Sequence, residues 1–352
     1  MFWLEWTWVD ALIMLVMVLS VWLYPRLATR LGMVDDPNSR SSHAHSTPTG
    51  FGIVLIMGVL LTLLHVPFQE AWQFYSGFFL LAIVSFRDDY KPIAPGIRLI
   101  IQIIAVALVL YALPISKTNL DSPIILLFAL IFGVGMLNAY NFMDGINGML
   151  LLHVLVVLGT LMSINMGWMG VERHYVHFMD NQLISMAFFA ALLLSFVNVR
   201  NKALGFIGDV GALGFALIIL YALYQLFAQT QNYMYFIFIG LFGIDTGCTI
   251  AVKLWRKESV TLPHRDFLFK RFVHVFKQSH LSISVPYALV QLASNIIVLQ
   301  FPVDLPTHWQ LFWLAMFIAT MVVFYVSFFR RSSIVKRIFE SLFLGKKFLG
   351  LF

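Results

Sequence analysis

The sequence predicts an all-α, polytopic integral membrane bundle of about ten or eleven transmembrane helices, N-terminus outside and C-terminus cytoplasmic. Three observations carry that prediction. Of the 352 residues, 60% are hydrophobic and 11% charged, and the mean hydropathy is +0.86, whereas an ordinary soluble domain has about 25% charged residues. Eleven apolar runs can be drawn along the chain. With the N-terminus outside, 21 of the 23 Lys and Arg fall on the inner side, leaving only Lys117 and Arg173 outside. That asymmetry follows the positive-inside rule, and an error of one span in mid-chain would scramble it.

The first run, 9–24, begins at once and continues without a small-residue cleavage site, so it reads as a retained helix and not as a removed signal. The others follow at 50–66, 72–86, 97–113, 124–137, 149–166, 183–197, 206–223, 233–252, 282–301 and 311–329. Several are short enough for one or two to be tilted, broken or merged. The organisation expected is one integral domain over 1–329, then a basic tail over 330–352 whose aromatic and basic residues suit a helix lying on the inner leaflet. The single cysteine, Cys248, excludes an internal disulfide and sits in an apolar run as a packing residue. The net charge of +6 is a topological signal; no motif for nucleic acid accompanies it.

The same threading sends every polar cluster to the inner face. Between two apolar runs lies Asn138-x-x-Asn141-x-x-Asp144-Gly145-x-x-Gly148, whose helical spacing puts amides and acid on one face. Lipid offers such groups no partner, so they must face a protein-lined cavity or the aqueous boundary, unless they only shape a tight connection. Asp88 and Asp89 end a span beside Arg87 and Lys91, which either balance them as a solvated helix end or leave them to a divalent cation. Asp209 precedes a run with small residues at Gly208, Gly211 and Gly214, a spacing that lets a helix or ligand approach the backbone. Packing explains those glycines but not the acid. Asp245 lies within a span and needs a partner or a role. His264, Arg265, Lys270 and Arg271 form a basic loop that suits either the anionic leaflet or, through His264 and Arg265, a diphosphate. Carboxylates, bases, amides and glycines at one face fit phosphoryl transfer between a soluble anion and a lipid phosphate, since that chemistry needs mainly positioning and charge neutralisation.

Taken together, these motifs resemble the polyprenyl-phosphate N-acetylhexosamine-1-phosphate transferases, the superfamily of the peptidoglycan translocase MraY and the WecA- and WbpL-type enzymes. The similarity runs from Asp36 to His280 through the PNSRSSHAHSTPTGFG stretch, Asp88-Asp89 with Arg98 and Gln102, the Asn138/Asn141/Asp144-Gly145 pattern, Asn201 ahead of the Asp209 loop, Asp245-Thr246 and His264-Arg265. The RSSH opening and the HR-type loop look more like the O-antigen-initiating branch. The resemblance implies transfer of N-acetylhexosamine 1-phosphate from a UDP-N-acetylhexosamine to undecaprenyl phosphate, with Mg2+ or Mn2+, on the cytoplasmic side of the bacterial inner membrane. It implies catalytic roles for Asp88, Asp89, Asp144 and Asp209, with Asp209, Asp88 and Asp89 at the metal. It also implies substrate contacts from Asn138, Asn141, Gly145, Asn201, His264 and Arg265. A homodimer is compatible with this reading.

The chain departs from the family pattern at Phe267, where a second histidine is usual, at Ala212, and at Thr49. Those departures leave as one rival a catalytically silent relative serving as an assembly partner; a second rival, independent of them, is a transporter of a lipid-linked or anionic solute.

Overall fold

The computed structural model describes residues 7–36, 46–65, 68–113, 122–168, 170–258 and 267–344, those after 329 by backbone alone. α1 (Trp8–Leu31) is entered through a reciprocal cap, in which the Asp10 N–H donates to Thr7 Oγ1 at 3.3 Å and the Thr7 N–H donates to Asp10 Oδ2 at 2.8 Å. Such a cap contributes about 1 kcal/mol. A short antiparallel ribbon follows, β1 (Val34–Asp35) on β2 (Thr47–Pro48), with Val34 opposite Pro48 and Asp35 opposite Thr47. Next come α2 (Ile53–Thr62), α3 (Trp72–Tyr90), α4 (Pro95–Tyr111) and α5 (Pro123–Met143). A proline opens both α4 and α5, at the position where its missing N–H costs nothing. α6 (Met149–Met166), α7 (Asn181–Asn198) and α8 (Gly208–Thr230) lead to a 3-10 stretch, Tyr233–Ile239, that runs into α9 (Gly240–Trp255). α10 (Leu268–His274), α11 (His280–Val298) and α12 (Thr307–Leu344) complete the chain.

Each of the eleven expected runs is a helix, and α10 is the addition. By length and apolarity α1, α5, α6, α7, α8, the unit Tyr233–Trp255, α11 and α12 as far as Phe329 can each cross a membrane. The protein is therefore a polytopic all-α membrane protein. The run over 50–66 yields only a ten-residue helix, α2, about 15 Å long where a bilayer core needs about 30 Å. Its first residues are used elsewhere: the Phe51 and Gly52 N–H groups donate to the Phe206 and Ile207 carbonyls at 3.0 and 2.8 Å. The boundary expected at 329 falls inside α12, which continues unbroken to Leu344.

α8 is the axis of the bundle. It packs against α2, α3, α4, α5, α6 and α7, and every residue from Val210 to Ala228 is buried. Where lipid is as apolar as leucine, close approach and not burial holds helices together. Accordingly, the backbone of α8 at Gly211 touches that of Gly52, with no room for a Cβ between them.

Polar contacts gather at the two ends of the bundle. At one end, His65 Nε2 lies 3.2 Å from Asp10 Oδ1, Asn165 donates to Asn181 at 2.8 Å, and Arg173 donates to the Leu299 carbonyl at 2.8 Å. The other end holds the acids discussed below. Asp245, inside α9, has structural partners: its Oδ1 accepts the Leu268 N–H at 3.0 Å and its Oδ2 the Tyr287 hydroxyl at 3.1 Å, tying α9 to α10 and α11.

Candidate active site

The site begins at the first turn of α8. Gly208 has φ +73°, a conformation costly for any side chain, and a Cβ there would strike the Asp89 carboxylate. That carboxylate, from the end of α3, receives the Asp209 N–H at 2.8 Å on Oδ1 and the Val210 N–H at 3.2 Å on Oδ2. Asp89 thus satisfies two N–H groups that a helix start leaves without partners and sits at the positive end of the α8 dipole. Asp209, the second residue of the helix, is aimed by that cap.

Behind Asp209 stands a hydrogen-bonded wall. Asp88 accepts from the Ile93 N–H on Oδ1 and from Arg98 Nη1 on Oδ2, both at 2.6 Å, and the same Nη1 reaches Asp209 Oδ2 at 3.3 Å. Asn141 Nδ2 donates to Asp209 Oδ1 at 2.8 Å. One turn earlier on α5, Asn138 Nδ2 donates to Gln102 Oε1 at 2.7 Å and to the Val134 carbonyl at 2.8 Å. Arg98 Nη1 thus reaches both acids and sets one positive charge between Asp88 and Asp209.

In front of Asp209 opens a cavity of about 410 Å³, whose lining includes Asp35, Thr49, Asp89, Asn141, Asp144, Gly145, Asn147, Asn198, Asp209, Lys270 and His280. Asn147 is fixed within it: its N–H donates to His280 Nδ1 at 3.2 Å and its Nδ2 to the Arg200 and Asn201 carbonyls at 2.8 and 3.3 Å. Asn198 Oδ1 takes the Gly148 N–H at 2.8 Å, holding the α5–α6 turn against the end of α7. Asp144 caps no helix start and accepts no hydrogen bond among the described residues. Burial, then the charge of Asp209, pushes its carboxyl up to about 7, with Lys270 pulling the other way.

Of the residues singled out in the sequence, Asp89, Asn141, Asp144, Gly145 and Asp209 line this one cavity. Asp88 and Asn138 stand behind it, bonded to Arg98 and Gln102. Asn201 is exposed outside the lining and takes part through its carbonyl alone. His264 and Arg265 lie outside the described residues, as does the RSSH segment. The contributions of Asn198 and His280 were not anticipated; each lies in a polar stretch beside an apolar run, and no spacing marks it. Of the three departures, Phe267 is buried at 3% exposure against Phe142 and Phe269, and Ala212 is buried inside α8. Both are packing positions here.

Among the described residues no group of three or more His, Cys, Asp or Glu is arranged to hold a metal ion. Asp88 and Asp89 already accept two hydrogen bonds each. Asp144 and Asp209, with the Asn141 amide, nevertheless present hard oxygen donors to a polar cavity, and that set suits Mg2+, which is bound through one or two carboxylates together with water and substrate phosphates.

The fold and this cavity define a class: a polytopic membrane protein with an acid-lined polar site at one end of its helix bundle. Residues 71–243 match the profile of glycosyl transferase family 4. The chain is similar to a probable undecaprenyl-phosphate N-acetylglucosaminyl 1-phosphate transferase of Bacillus subtilis (strain 168), 22% identical over 282 residues that cover 75% of this chain and 76% of the relative. It is also 28% identical to an undecaprenyl-phosphate alpha-N-acetylglucosaminyl 1-phosphate transferase of Salmonella typhi over 234 residues, 58% of this chain and 59% of the relative. A Thermotoga maritima protein of the same description is 29% identical over 123 residues, 35% of this chain and 40% of its own length. The matched segment holds Asp88, Asp89, Asp144 and Asp209, and over it the chain is similar to the family that its motifs resemble.

Proposed function

We propose that this protein transfers an N-acetylhexosamine 1-phosphate from a UDP-sugar to undecaprenyl phosphate, releasing UMP and starting a lipid-linked surface glycan such as O-antigen. The observation that carries the reading is that Asp89, Asn141, Asp144, Gly145 and Asp209, drawn from three separate stretches of sequence, surround one cavity at a single end of the bundle. The basic-residue asymmetry supports a cytoplasmic position for that end, where a nucleotide sugar would reach it from water and a lipid phosphate from the bilayer.

In the reaction an oxygen of the lipid phosphate attacks the sugar-proximal phosphorus of the donor. The bond from that phosphorus to the bridging oxygen breaks, and UMP leaves with the oxygen. A phosphate monoester has a second pKa near 6, so at neutral pH the acceptor is mostly dianionic and needs no base. Asp209 and Asp144 would hold Mg2+ or Mn2+, which when bound supplies neutralisation of charge on the phosphate oxygens. Asn141 and Arg98 fix the Asp209 carboxylate from behind, so that it is oriented before substrate arrives. Asp89 acts through α8: by capping the helix it fixes the backbone that carries Asp209. A transporter would place its charged site near the bilayer midplane on broken helices, whereas these acids sit at helix ends.

Membranes carrying the full chain, incubated with mixed UDP-N-acetylhexosamines, undecaprenyl phosphate and Mg2+, should yield a lipid diphosphate sugar identified by mass spectrometry. Counterflow of labelled donor into proteoliposomes without chemical conversion would overturn the proposal in favour of transport.

A further inference from the structure

The cavity is rich in acid. Asp35, Asp89, Asp144 and Asp209 line it, and among its described lining residues Lys270 is the one Lys or Arg. Lys270 follows the basic loop, on α10, where the default for a juxtamembrane lysine is contact with the anionic leaflet. Its placement is different. The side chain crosses Gly145: a methyl group built there would strike Lys270 Cε and fall 3.0 Å from Nζ. Two aromatic rings guide the ammonium inward, the Phe267 centroid at 5.5 Å and the Phe269 centroid at 5.7 Å, a spacing at which a cation is attracted to a ring face. The next residue, Arg271, turns away and lays its guanidinium over Phe329 at 3.7 Å. The two neighbouring bases are thereby divided: Arg271 holds α10 to α12, and Lys270 serves the cavity.

From this geometry, and resting on the transferase reading above, we infer that Lys270 is a binding residue for the diphosphate of the nucleotide donor, with Gly145 kept bare to let its stem pass. An anionic donor entering a cavity lined by four acidic side chains needs a cationic partner, and the Lys270 ammonium is the described lining Lys or Arg that can offer it charge-assisted hydrogen bonds. The position that the family pattern gives to a histidine is occupied by Phe267, which forms a wall for this lysine.

The test is UDP binding to the detergent-solubilised full chain with Mg2+, read by calorimetry, together with steady-state kinetics. Lys270→Gln should weaken UDP by about tenfold or more, the loss expected for a charged hydrogen bond, and should raise KM for the UDP-sugar while leaving KM for undecaprenyl phosphate unchanged. Lys270→Arg should restore most of the affinity. Gly145→Ala should reproduce the loss in the native background and add little in the Lys270→Gln background, because both changes remove one contact. Unchanged UDP affinity in Lys270→Gln would overturn the inference and leave the transferase reading standing. Equal losses for both substrates would overturn it too, since that is the mark of a merely structural lysine. No UDP binding by the unaltered chain would take the transferase reading down with it.

Discussion

Gly208→Ala is the substitution for which the structure gives the most explicit arithmetic. An alanine at φ +73° costs about 1–2 kcal/mol in backbone strain. Its Cβ strikes the Asp89 carboxylate, and displacing that carboxylate removes the cap on the Asp209 and Val210 N–H groups, worth about 1 kcal/mol with a range of about 0.5–2. The expected loss of stability is therefore about 1.5–4 kcal/mol, measured by SDS titration of the protein in mixed micelles. Asp89→Ala alone should cost the cap only. Adding Gly208→Ala to it should then cost only the strain, so the double variant falls about 1 kcal/mol short of additivity. Activity should fall with the geometry, because Asp209 is the next residue and a displacement of about 1 Å at a reacting centre costs on the order of a hundredfold. Gly208→Ala stability within about 0.5 kcal/mol of the unaltered chain, or strict additivity with Asp89→Ala, would refute the account of Asp89 as the cap that aims Asp209.

Three further outcomes are expected. The Asp144 carboxyl, held up at about 7 by burial, keeps in the folded state a proton that the unfolded chain has lost, so stability without a divalent cation should decline as pH rises from about 4 to about 7. A cation favours the ionised form, so Mg2+ should bind about tenfold more tightly at pH 8 than at pH 6; pH-independent Mg2+ titrations would contradict this. Asn138→Ala leaves the buried Gln102 amide without its partner and should cost about 1–3 kcal/mol in SDS titration with UDP affinity unchanged, whereas lost UDP affinity would make Asn138 a ligand. Phe267→His places a polar ring in an aromatic core and should destabilise by about 1–3 kcal/mol; a faster enzyme would show instead that the family's usual histidine is missed.

The fold was legible because lipid imposes a simple rule: long apolar runs become helices. The convergence of Asp89, Asp144 and Asp209 was legible for the same reason, since the threading sends all three connections to one face. What periodicity leaves open is which polar residue on a helix face meets the cavity and which meets another helix. Asn138 and Asn141 are one turn apart, yet Asn138 bonds to Gln102 while Asn141 turns to Asp209. Asp88 and Asp89 are adjacent, and successive helical positions diverge by about 100°; one holds Arg98 and the other α8. The shortness of α2 was hidden because Phe51 and Gly52 are apolar and look like span, although their N–H groups serve the α7–α8 connection. Lys270 read as a leaflet contact because the small residue that admits it, Gly145, lies 125 positions earlier in the chain.

The central claim is that Asp209, aimed by Asp89, Arg98 and Asn141, works in a cavity where a nucleotide sugar and a lipid phosphate exchange a phosphoryl bond. Its most direct test is UMP release by the purified full chain supplied with UDP-N-acetylhexosamine, undecaprenyl phosphate and Mg2+, run beside Asp209→Asn. The account predicts UMP formed only when both substrates are present and abolished in Asp209→Asn; no UMP from any donor, or undiminished release by Asp209→Asn, would contradict it.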